Sequence, residues 1–476
     1  MKLGKLSLVA VMALGTSAFA IDNVKVSGEA KLWYQTSEYS GTAASTVGAT
    51  NPANNLQSDQ DFFDHNTNSA AEVKVSVGAT ADLAQNLSAG VKATGLTTLG
   101  LENNLVGAVP AAKYNNDGTA AADALNDQWW VEEAYMAYTM GKTTAKVGRQ
   151  ALATPLAFTE NWNVVDNTFE AAVLLNNDLP DTTLVGAWVG KHNGVGLLQT
   201  SAVAATHGGR NSTVANNGTF STFATEGAYA AGAINKSVPN TAIQAWYYNV
   251  PQVADAYWLQ ADTKIIDMIS IGVQYAGMKP KLSAGTVSAV VDPAGTTTPS
   301  VGAITASNSD AFKQDSDVFA IKAGVDVAGV NLYAAYSTVS QGTLGFANVA
   351  TGDKSMVYTA LGSVYMDGEI AAAPDTDAWK IGASTKLIPS VTLSASYAEA
   401  ETGANSGATA AVGGASQINT DYSAWDIIAA TKVGPVDLTA IYTQFDKDVK
   451  LDPLVPTTGN SDKTTDTFRL IASLKF

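Results

Sequence analysis

Charge, rather than nucleophiles or metal ligands, is the chemistry this sequence offers. The 476-residue chain contains three histidines, His65, His192 and His207, and no cysteine. None of the histidines has metal-ligand spacing, and each falls in a polar stretch that reads as a loop. No serine, histidine and aspartate group into a hydrolytic set, and Gly413-Gly414 follows no strand-to-helix transition that would cradle phosphate. The chain does not read as an enzyme. Asp59-Gln60-Asp61 with Asp64 gathers carboxylates of the kind calcium takes, but lacks the full spacing of a calcium loop. No cofactor is expected, a structural calcium ion being the one exception these acids leave open. The remaining charges follow a pattern. Lys74, Lys92 and Lys146 alternate with apolar neighbours, while Arg149, Glu160, Asp166 and Glu170 crowd one stretch. Around a water-filled passage, such side chains orient polar solutes and select ions.

The elements that would position these charges are strands. Counting back in twos from the end gives Phe476, Leu474, Ala472, Leu470 and Phe468, all apolar. Lys475, Ser473, Ile471, Arg469 and Thr467 interleave with them, so the two sets face opposite sides of one strand. The same alternation recurs at Val24 to Tyr34, Ala71 to Leu83, Trp379 to Leu387, Val391 to Tyr397 and Val436 to Tyr442. Short turns and long polar loops follow one another along the chain, the connection around Pro251 to Asp255 being shorter than the other loops. The pattern predicts an all-β, transmembrane, antiparallel up-and-down β-barrel of about 18 strands, with 16 as the other even count it allows. Short turns belong to the periplasmic side and long loops to the extracellular side. Trp and Tyr near the predicted strand ends fit the two headgroup levels.

Composition narrows the classes further. Net charge is −16, which argues against a nucleic-acid partner. Lys2 and Lys5, the apolar run Leu6 to Leu14 and Ala18-Phe19-Ala20 form a secretory signal, expected to be cleaved after Ala20. Residues 21–476 then form one barrel domain, and the charge becomes −18 because the leader carries two lysines and no acid. No apolar run is long enough for a spanning helix, so membrane residence requires a closed barrel.

Lys146-Val147-Gly148-Arg149-Gln150, the following Thr154-Pro155, Phe158 to Asn167 and Thr168-Phe169-Glu170-Ala171 resemble the major outer-membrane porins of Campylobacter and related bacteria. The signal peptide, the barrel pattern and the terminal Phe476 share in the resemblance; the long loops do not. It implies residence in the outer membrane of a Gram-negative bacterium, in contact with its lipid, as a homotrimer. It also implies a third loop, here Gln150 to Asn167, folded inward to narrow the channel. Glu160 and Asp166 would then enter the constriction, with Glu170 just below, facing Lys74, Lys92 and Lys146. Parity sets Arg149 on the face of Val147, so it reaches the lumen only if Gly148 permits a bulge. Phe476 resembles the signal read by the outer-membrane assembly machinery. The family's calcium binding transfers to no residue here.

The leading function is general diffusion of small hydrophilic solutes and ions, with weak cation selectivity. A substrate-specific channel and a surface adhesin or structural barrel are the alternatives. In the last strand, arginine at Leu470 or Leu474 should impair folding, and Arg469→Leu should be much milder. Lysine at both Glu160 and Asp166 should alter selectivity with little effect on stability.

Overall fold

Alternation is what the backbone obeys. The computed structural model describes residues 22–42, 61–63, 69–101, 127–194, 214–224, 226–281, 314–360, 370–386, 388–403, 417–451 and 461–476. The signal segment, His65, His207, Asp59 and Asp64 lie outside them. The chain opens with β1 (Asp22–Thr42), β2 (Ser69–Ala84), β3 (Leu87–Thr97), β4 (Gln128–Met140) and β5 (Thr143–Gln150). It continues through β6 (Phe169–Asn176), β7 (Thr182–His192), the two-residue β8 (Ser221–Thr222), β9 (Ala228–Asn235) and β10 (Thr241–Val250). Next come β11 (Ala254–Ile266), β12 (Ile269–Pro280), β13 (Ser316–Val327), β14 (Val330–Val339) and β15 (Thr376–Thr385). The last four are β16 (Val391–Gly403), β17 (Gln417–Val433), β18 (Val436–Leu451) and β19 (Ser461–Lys475).

Each strand pairs antiparallel with its chain neighbours, β7 pairs directly with β9, and β19 closes on β1. β8 only extends the outer end of β7. With it set aside, eighteen of the nineteen strands form a closed barrel. Closure leaves no edge with unpaired amides in lipid. The seam is fixed at its short-turn end, where Gly28 N donates to Phe476 O at 2.7 Å and Phe476 N donates to Gly28 O at 3.0 Å. Met356 to Ala360 form no strand and sit in the connection after β14.

Side chains sort by face. In β19, Arg469 and Thr467 are buried in the lumen while Leu470 is exposed outside. The aromatics divide too. Trp33, Trp130, Trp246 and Trp258 are buried on the inner side, whereas Tyr247, Tyr257, Tyr275, Tyr336 and Trp425 stand outside. Toward the long-loop end the outer tyrosines donate to carboxylates: Tyr247 to Asp255 and Tyr257 to Asp317, both at 3.1 Å, and Tyr336 to Asp377 at 3.0 Å. Ring in hydrocarbon and hydroxyl toward water is the placement a headgroup boundary favours.

One bulge matters to the lumen. Lys92 opposes Glu133 and Ala93 opposes Val131, which leaves Glu132 as the extra residue of β4. The doubled residue shifts the alternation, so Glu132 and Glu133 both reach the inner side.

Candidate functional site

Gln150 ends β5 with its side chain turned in, its amide donating to Ala171 O at 3.0 Å. The connection to β6 folds tightly from there. Thr154 Oγ1 donates to Ala157 O at 2.8 Å and accepts from Ala157 N at 3.2 Å, which closes a turn over Pro155. Asn167 fastens the return, accepting from Glu160 N at 2.7 Å and donating to Phe158 O at 3.1 Å. Apolar residues take the loop inward. Leu156 and Ala157 pack with Trp246, Tyr248 and Trp258, while Val164 and Val165 pack with Trp33, Leu96 and Trp130. The loop therefore touches the wall at β10 and β11 and again at β1, β3 and β4. A segment doing this lies across the lumen.

A second connection, leaving β14 after Val339, also turns inward. Gln274 of β12 donates to Met356 O at 2.7 Å and accepts from Tyr358 N at 3.1 Å. Tyr358 OH donates to Asp262 at 2.9 Å, and Lys380 reaches Ala360 O at 2.8 Å. The two loops meet. Val349 N donates to Leu156 O at 2.9 Å, and Asn348 Nδ2 donates to Phe158 O at 2.8 Å. Toward the short turns, a recess of about 490 Å³ is lined by residues including Lys236, Lys264, Lys322 and Asp262.

Five of the seven charges named from the sequence do converge on the lumen. Glu160 sits at the junction of the loops, 3% exposed. Asp166 is half-buried, and its charge acts on Lys31, Lys92 and Glu133. Lys74 is buried against Glu29 at 2.5 Å, and Lys92 pairs with Glu132 at 2.7 Å. The Lys146 ammonium rests 3.6 Å over the Tyr135 ring.

Arg149 and Glu170 are corrections. No register shift interrupts β5 against either neighbour, so Arg149 stands opposite Ala134 and Glu170 on the outer face with Val147. Directly opposed residues share a face. Gly148 takes φ +126°, and a Cβ there would meet Ala134 O at 2.2 Å, yet this torsion does not reverse the alternation. Arg149 pairs with Glu170 at 3.0 Å and packs its guanidinium on Phe220, with Lys191 3.6 Å from the same carboxylate. His192 also departs from expectation: it ends β7, buried 5.6 Å from the Phe223 ring. Phe476 lies exposed at the seam. Among the described residues no cluster of three or more acids and histidines is arranged to hold a metal ion.

Sequence reasoning missed the second loop, and with it Lys354. This half-buried lysine lies 4.7 Å over the Trp162 ring, and Arg469 of β19 approaches the same ring at 6.0 Å. Burial pushes the Lys354 ammonium down to about 8, Glu160 opposing and Arg469 adding to the shift. A signal was present. Leu344, Phe346 and Tyr358 put leucine and aromatic side chains in this connection, where the Gly/Ala/Ser/Thr-rich stretches Ala284 to Ser309 and Gly403 to Ser416 have neither.

The model of the family described as Campylobacter major outer membrane protein matches residues 1–469. Among curated proteins, none matches the chain. Solved structures share the fold at low identity. Pseudomonas aeruginosa OccK1 (OpdK) is 12% identical, with 95% of this chain and 98% of that one covered and a TM-score of 0.61. P. aeruginosa OccK8 (OprE) is 14% identical, with 96% and 99% covered at 0.61. P. aeruginosa OccK2 (OpdF), solved with glucuronate, is 12% identical, with 95% and 98% covered at 0.59.

Proposed function

The chain belongs to the Campylobacter major outer membrane protein family, β-barrels of the Gram-negative outer membrane, and on that premise we propose a general diffusion channel for small hydrophilic solutes and ions, weakly selective for cations. One observation carries the reading. Two inward loops meet inside a closed barrel of a size that otherwise leaves an aqueous channel. Asp166, reached by the third loop, together with Glu133 and the acidic whole, supports the cation preference. Trimerisation, recognition of Phe476 by the assembly machinery and cleavage of residues 1–20 complete the proposal, each from the resemblance or the leader's composition. The purified protein should insert into planar bilayers as stepwise channels. Electrical silence of folded barrels would favour a surface adhesin or structural barrel instead.

The selectivity should depend on pH. Lys354 is cationic at pH 7 and loses its charge as the pH passes about 8. Removing a positive charge beside the constriction strengthens cation preference, so the zero-current potential in a salt gradient should become more cation-like between pH 7 and 9. Lys354→Met should show that preference already at pH 7 and respond less to pH.

A second reading has its own support. Lys322 and Lys380 rise on one side of the lumen beside Tyr358 and Tyr333, with Lys354 on the adjoining loop. Structures of the same fold were solved with carboxylates, OpdK with vanillate and OccK2 with glucuronate. A substrate-specific channel for carboxylates predicts concentration-dependent interruption of ion current by such a solute. General diffusion predicts no saturable interruption.

A further inference from the structure

We propose that Glu160 sets the width of the channel by clasping the two inward loops together, and does not act as a charge presented to passing ions. The inference rests on the channel reading and names the residue that holds its narrow point. Both oxygens of the carboxylate are engaged. One oxygen accepts from Asn348 Nδ2 at 2.8 Å, from the Thr351 hydroxyl and from the Lys354 backbone N–H at 3.2 Å. The other accepts from the Trp162 indole N–H at 2.7 Å. A carboxylate offers about four acceptor sites, so little capacity remains for a permeating cation. Three of the four donors belong to the second loop, roughly 190 residues away.

The geometry gives the clasp leverage. The third loop springs from β5 and β6 and the second from β14 and β15, on well-separated arcs of the wall. Beside Glu160 the loops share Val349 N to Leu156 O and the Asn348 amide, which meets both Phe158 O and Phe158 N. Without the carboxylate, Asn348, Thr351 and the Lys354 amide lose their common acceptor. Buried donors left so are costly, and moving into lumen water is their cheapest relief. Each loop would then relax toward its own wall.

Two substitutions separate clasp from charge. Glu160→Gln removes the charge but keeps a carbonyl oxygen for the second loop; Glu160→Ala removes both. In planar bilayers at about pH 6, where Lys354 stays cationic without the help of the Glu160 charge, Glu160→Gln should retain the wild-type unit conductance and zero-current potential. Glu160→Ala should raise conductance about twofold, since flow follows the open cross-section, and Asn348→Ala should do the same from the other side. Heat-modified mobility in detergent gels confirms that each barrel is folded.

The natural chain has no cysteine, so a tether can be added cleanly. Leu156→Cys with Val349→Cys, joined by a backbone hydrogen bond, lie within reach of a disulfide. In the Glu160→Ala background, oxidation should restore the narrow conductance and reductant should abolish it. A conducting wild type with an unchanged Glu160→Ala channel overturns the clasp. So does a selectivity shift in Glu160→Gln at that pH and at constant conductance, which would mark a charge role. A wild type that conducts nothing overturns the channel reading itself.

Discussion

Deleting Phe158–Val164 raises the unit conductance about twofold or more, because it removes the span that crosses the lumen. The segment contributes Glu160, Trp162 and Asn163, whose carbonyl accepts from Lys31 at 3.1 Å. It contributes nothing to the ladder between β5 and β6, which runs from Thr143 opposite Asn176 to Gln150 opposite Phe169. Closing the shortened connection is inexpensive, since loop entropy changes slowly with length. Losing Val164 takes one apolar neighbour from Trp33, Leu96 and Trp130 while Val165 remains, so some thermal stability is lost. Single-channel recording checks the expectation. Unchanged conductance in a folded deletion variant would place the narrow point elsewhere.

The same region corrects an expectation about stability. Lysine at both Glu160 and Asp166 looks harmless when the two are taken as solvated acids. Asp166, half-buried and facing Lys31 and Lys92, remains a candidate for selectivity. Glu160 does not tolerate the change in the same way. A lysine there would set an ammonium among the donors of Asn348, Thr351 and Trp162.

Much of the wall is written locally and can be read from the chain. In β15, β16, β18 and β19, strict alternation identifies strand and face together, because each residue's neighbours along the strand decide both. The alternation of short and long connections then yields the strand number. Arg149 shows how far parity reaches: counted along β5 it stays outside, and the register agrees. Glu132 shows where parity stops. Two adjacent acids in Val131-Glu132-Glu133 give no sign that an extra residue has shifted the count, since the bulge depends on β3. The loops lie further from reach. Glu160 meets Thr351 only because the barrel closes, and no local propensity encodes a contact between such distant residues.

The last strand allows a test of face and packing together. Leu470→Arg should cost roughly 2–4 kcal/mol if the residue lies near the membrane midplane and less near an interface. Leu470 is 38% exposed on the outer face, opposite Tyr34 and Ala440, so the arginine would meet lipid. Its neighbour was expected to tolerate change, being polar and turned to water. The surroundings say otherwise. Arg469 is 3% exposed, donates through Nε to Gln35 Oε1 at 2.7 Å and lies over the Trp33 ring at 5.5 Å. Arg469→Leu strands the Gln35 carbonyl, itself buried, at a cost of roughly 1–3 kcal/mol. Arg469→Lys should recover part of that by keeping a donor while losing the planar fork. The two kinds of damage differ in kind. Leu470→Arg should lower refolding yield into lipid without altering the conductance of the barrels that do fold. Arg469→Leu should fold into lipid but change conductance, because Trp162 loses a cation beside its ring. Refolding each variant into vesicles, followed by bilayer recording, distinguishes them; equal refolding of wild type and Leu470→Arg would refute the assigned face of β19.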